Sequence, residues 1–265
     1  MNMLDEDGMR GNLDSWFRMQ DKVIASNRTE FETEYTWLDK AIELLWDIQI
    51  FVNDKNQPLR QRRAQSLDTQ RATNVVVNLV NDAMGSLISA TRLLLFGAHP
   101  DAFALVRSAF EACCYAEYFA RHPDTVKSYM ELEDLLSTDP TISLGTKLRE
   151  RKLSIGHVRK ELETHDREDR SAFYALLCNF GAHPSPKRVG LRLSSPGGAV
   201  LAAVSASTPG WSRADWTHDC AISLIAVAKY AVELLPEHYP EWFASEHSLG
   251  ERLKSLAHQY RAIKP

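Results

Sequence analysis

Residues 67–96 carry apolar side chains at Val76, Val80, Ala83, Met84, Leu87, Leu94 and Leu95, with Asn74, Asn78, Asn81 and Arg92 on the other side. Spacings of three and four sustained over such a stretch predict one long amphipathic helix. Its thirty residues at 1.5 Å each span about 45 Å, long enough to organise a bundle. A rod of that length sets the scale of the fold, and the rest of the chain reads with the same period.

Before it, Thr29 and Glu32 have the spacing of a capping box. Phe31, Tyr35, Leu38, Ile42, Leu45 and Gln49 then predict a helix ending near Asn53, followed by a polar linker. After it, Pro100 suits the first position of a helix over 100–121, apolar around most of its circumference and therefore central. Shorter helices are expected over 123–137, 146–164 and 166–181. Residues 211–235 and about 240–262 return to helix. Only 187–208, two apolar runs around Ser195-Pro196-Gly197-Gly198, breaks the pattern and suggests a small hairpin or loop. The reading is an all-α helical bundle with a short irregular or β-hairpin insertion near 187–208. Residues 1–66 form an N-terminal helical extension and linker, and 67–265 the bundle, the two possibly continuous as one domain.

The pentapeptide "FGAHP" occurs at 96–100 and again at 180–184. The first copy enters another helix and the second an extended segment, so the similarity stops at the helix exit. Glycine past an apolar run followed by proline is a helix-ending device. His99 reads as punctuation between helices. His183 has more in its favour: continuing the 166–181 helix puts Asn179 and His183 four apart, bordering an apolar face formed by Phe173, Leu176 and Phe180.

The net charge of −4 gives no global field toward nucleic acid or anionic membrane. Cys113, Cys114, Cys178 and Cys220 form no CxxC pair, which predicts reduced, buried thiols and a cytoplasmic setting. The apolar stretch 220–235 is too short to span a bilayer, so no membrane is expected. No HExxH, P-loop, dinucleotide-binding or nucleophile-elbow pattern is present, and no metal or cofactor is expected.

Arg107 and Glu111 stand four apart on the most apolar helix. A wheel places them with Cys114 and Tyr118 within roughly 60°. They form either a solvated ion pair or a polar seam inside the bundle facing Asn179 and His183. If the seam is buried, Arg107 must be paired, with Glu111 the obvious partner.

The stretches "AFALVRSAFE" (102–111) and "FYALLCNFGAHPS" (173–185) resemble an uncharacterised family of bacterial all-helical proteins. That family is distantly similar to the HEPN superfamily (higher eukaryotes and prokaryotes nucleotide-binding), and the resemblance covers roughly residues 70–190. It implies a HEPN-like bundle core, often dimeric, and in many members a metal-independent RNase of toxin–antitoxin or defence systems. The family signature is an arginine, a polar residue, and a histidine four to six positions after the arginine. Asn179 and His183 match; Cys178 occupies the arginine's place. A thiol supplies neither fixed positive charge nor a bidentate phosphate contact. The resemblance therefore supports the fold more than the activity.

The favoured expectation is a non-catalytic interaction module that dimerises with itself. The alternative is an RNA-directed or defence-associated protein. There Arg107 contacts phosphate, His183 acts as acid and base, Glu111 and Asn179 orient them, and Lys187 and Arg188 bind the RNA backbone. A small-molecule pocket in the bundle core is a third, weaker expectation.

Overall fold

The computed structural model describes residues 13–53, 67–96, 98–138, 143–166, 169–179, 215–244 and 246–263. Among them, eleven helices and no strand are formed. They are α1 (Leu13–Glu30), α2 (Glu32–Asn53), α3 (Leu67–Phe96), α4 (His99–Arg121), α5 (Thr125–Thr138), α6 (Leu144–Glu150), α7 (Ile155–Asp166), α8 (Arg170–Leu177), α9 (Asp215–His238), α10 (Pro240–Phe243) and α11 (His247–Ile263). The chain is thus an all-α bundle. The expected hairpin near 187–208 and the second "FGAHP" lie outside the described residues, and so do His183, Lys187 and Arg188.

Helix α3 has the bounds its periodicity predicts. Val76, Val80, Ala83 and Leu87 are fully buried, while Asn74, Asn78, Asn81 and Arg92 face outward. It is also the described helix that meets the length and composition of a bilayer span, with a mean hydropathy of 1.2 in its most apolar window. Here the apolar side of α3 is the inside of the bundle. Helix α4 packs along α3, and between them the Ala98 N–H donates to the Leu93 carbonyl at 2.8 Å. Pro100 sits in the first turn of α4. His99 is buried beside this junction, and burial lowers its imidazole pKa to about 4. A neutral buried ring fits the punctuation role.

Helix α9 closes the other side of α4, burying Ala221, Leu224, Ile225, Ala228, Ala231, Val232 and Leu235 against α2, α3 and α4. Helix α2 belongs to the same apolar cluster, through Trp37, Leu44, Leu45 and Ile48, although it precedes the expected linker. Each such large side chain contributes about 1.5–3 kcal/mol by leaving water. The Trp37 Nε1–H donates to the Leu256 carbonyl at 3.1 Å and so ties α11 to α2.

Five local expectations are corrected. The helix expected to start at Thr29 is preceded by α1, because the Thr29 hydroxyl donates back to the Ala25 carbonyl at 3.2 Å instead of capping a new start. Its buried stripe is turned toward Trp37, Ala41, Leu44 and Ile48, leaving Phe31, Tyr35 and Ile42 half-buried. The single helix expected over 146–164 is two, because Lys152 adopts φ 57°, a left-handed residue that ends α6. The helix expected over 166–181 begins only after Asp169, whose carboxylate accepts from the Ala172 N–H at 2.8 Å. Leu176, expected on its apolar face, is exposed.

Candidate functional site

Polar side chains gather where α4 meets α7, α8 and α9, in two layers. The inner layer is built on Glu117, a carboxylate on the most apolar helix. Arg170, the first residue of α8, pairs with it at 3.1 Å, and both side chains are nearly sealed, 5% and 3% exposed. Tyr230 on α9 donates to the same carboxylate and accepts from Arg170 at 2.6 Å. The Arg170 guanidinium also lies over the Tyr230 ring. Arg121, one turn along α4, pairs with the other Glu117 oxygen. A buried ion pair is held only when both charges keep hydrogen-bonding partners. Tyr230 and Arg121 supply them here.

Burial pushes the Cys113 and Tyr230 pKa values well up. Cys114 rises to about 12 for the same reason, against the pull of Arg170. These are protonated groups, not nucleophiles.

The outer layer lies toward the start of α4. Arg107 and Glu111 pair at 3.3 Å with 30% and 27% of their side chains exposed, midway between the solvated and buried alternatives. The Tyr174 hydroxyl on α8 donates to Glu111 at 2.8 Å. Burial, then this bond, raises the Tyr174 pKa. Arg107 Nη1 approaches the Cys178 sulfur at 3.9 Å, a weak contact. Arg159 of α7 stacks over the Tyr174 ring, its Cζ 4.0 Å from the centroid. Phe110 packs edge-on against Phe173 and closes the floor.

The fold therefore brings Arg107 and Glu111 together with Cys178, which stands in the place of the expected arginine. Asn179 follows Cys178 in one wide turn at the end of α8 and is exposed. The expected meeting of Arg107 with His183 falls outside the described residues. Cys114 and Tyr118, grouped with Arg107 on the wheel, are buried, so the seam runs from half-open at Arg107 to closed at Glu117.

Sequence reasoning missed Glu117, Arg170, Tyr230 and Arg159. Glu117 could have been flagged, since a carboxylate on a helix apolar all round must find a cation. Its partner, 53 positions away, has no local signal. Among the described residues no three His, Cys, Asp or Glu side chains gather as metal ligands. A groove of about 260 Å³ opens between α2 and α11, with Lys40, Glu43, Arg252 and Gln259 on its walls. In comparisons with known proteins, no family model, no curated protein and no solved structure matches the chain.

Proposed function

We propose that the chain is a non-catalytic helical interaction module that works as a homodimer in a reducing cytoplasm. The observation that carries this reading is on α2. Trp46 and Ile50, one turn apart, are 54% and 46% exposed, while the opposite side of the same helix is sealed in the core. A half-exposed indole beside an exposed isoleucine is the kind of anchor that interfaces bury. The polar seam supports the same reading. Its arginines, carboxylates and tyrosines largely bond one another, and the buried thiols are protonated. The four cysteines are free, which accords with a reducing compartment.

Sedimentation equilibrium tests it. The wild type is expected at the dimer mass at micromolar concentration, and Trp46→Glu with Ile50→Glu at the monomer mass with an unchanged helical spectrum. A wild type that stays monomeric throughout ends the proposal.

The second reading is a HEPN-like, RNA-directed protein. Arg107 favours it, because its side chain is 30% exposed and, among the described residues, has only a thiol besides Glu111. Cleavage of RNA by the wild type and not by His183→Ala supports that reading. Equal cleavage by both, or by neither, sinks it.

A further inference from the structure

Six described arginines are buried or half-buried: Arg107, Arg121, Arg151, Arg159, Arg170 and Arg252. Five have a carboxylate partner: Glu111, Glu117, Glu131, Glu117 and Asp47 respectively, with Arg159 the exception. No carboxylate of the described residues lies within 4.0 Å of the Arg159 guanidinium. It is nevertheless held in place. Its Cζ stacks on Tyr174, its Nε donates to the Ile155 carbonyl at 3.3 Å, and its Nη1 reaches the carbonyls of Arg170 and Ser171 at 3.4 and 3.5 Å. Among the described residues no acceptor bonds its Nη2 donors. A half-buried guanidinium held by carbonyls and a ring, with no carboxylate of the described residues beside it, is placed to receive an anion.

The same patch holds a second under-used guanidinium. Arg107 Nε is buried and makes no well-directed hydrogen bond, although Glu111 is 3.3 Å away. Its Nη1 has only the Cys178 sulfur. Tyr174 joins the two arginines, since its ring carries Arg159 and its hydroxyl bonds the carboxylate that Arg107 pairs with.

We propose that Arg159 and Arg107, gathered around Tyr174, bind a dianionic phosphate group. Planar guanidinium forks match phosphate oxygens, and a doubly charged group draws more from them than a single charge does. Glu111 works against an anion of either charge; a phosphomonoester is favoured over a diester because its three terminal oxygens, against two, can meet both guanidinium forks. One face of Tyr174 is covered by Arg159, and the ring lies 6.5 Å from Phe110 at 33°. Recognition rests on the phosphate. This proposal does not depend on dimerisation.

Calorimetric titration of the full chain with inorganic phosphate, ribose 5-phosphate and a single-stranded RNA lacking terminal phosphate tests it. Phosphate and ribose 5-phosphate are expected to bind saturably and to compete. Stronger binding of ribose 5-phosphate would assign a carried phosphate, and equal binding the free ion. Arg159→Met and Arg107→Met are each expected to weaken binding at least about tenfold, the share of one charge-assisted contact. Arg159→Lys, which keeps the charge and loses the fork, should not restore it. If Arg159→Met does not fold, Arg107→Met carries the test. Absence of saturable binding, affinity unchanged in both variants, or RNA binding that phosphate fails to displace overturns the proposal.

Discussion

Two Arg–Glu–Tyr triads are built on two carboxylates of one helix, less than two turns apart, and they behave differently. Arg170, Glu117 and Tyr230 are sealed between three helices; Arg107, Glu111 and Tyr174 are open to water on one side. The chemistry of the side chains is the same. What differs is whether water can replace a lost partner. In the inner triad a missing group leaves a charge stranded, while in the outer one solvent takes its place. Residue identity alone therefore says little about the worth of an ion pair, and the helix face decides.

The sharpest way to break this contrast is Arg170→Met, which leaves Glu117 buried with one cation fewer. A loss of about 3–5 kcal/mol is expected in urea unfolding. Replacing Glu117 with leucine in the same chain should recover most of it, since removing both charges spares the stranded one. A loss below about 1 kcal/mol for the single variant would put the two triads on one level.

Burial should govern a third group in the same way. His99 has a folded pKa of about 4 against an ordinary value of 6.5. Between those values the unfolded chain binds the extra proton, so stability falls as pH drops from 6.5 toward 4, by roughly 2–4 kcal/mol in all. In His99→Gln this part of the slope should vanish. Identical pH profiles would mean the ring is not held neutral by the core.

Smaller effects separate the tyrosines. Tyr230→Phe removes a donor from a sealed carboxylate and should cost about 1–3 kcal/mol, Tyr174→Phe about 0.5–1.5 kcal/mol. Arg107→Met completes the series at or below about 1 kcal/mol, with a cost that shrinks further in high salt. An Arg107 variant as damaging as Arg170→Met would show that the outer triad is as closed as the inner.

The ease of reading these features from the sequence follows their range along the chain. Helix α3 was legible to its ends because thirty residues of one period leave no other register. Arg107 and Glu111 were legible because one helical turn joins them. The split between α6 and α7 was not, since Lys152 takes a left-handed conformation in which glycine is the usual signal. Arg170 sits in the charged run "DREDR", which reads as surface. Only the fold, by pressing the first turn of α8 onto Glu117, turns it into a core residue. Arg159 was invisible for a related reason: its character lies in the carboxylate it lacks, and a lack is seen only in three dimensions.

The bond from Trp37 to the Leu256 carbonyl has a consequence in time. Its two ends are 219 positions apart. At roughly 5–20 residues per second of synthesis, the indole waits on the order of 10–40 s for its acceptor. Until α11 emerges, Trp37 and Leu256 cannot meet, and the apolar side of α2 is left partly uncovered on the growing chain. The nascent protein thus presents a sticky helix through most of its own translation, a natural substrate for chaperones that hold unfinished chains.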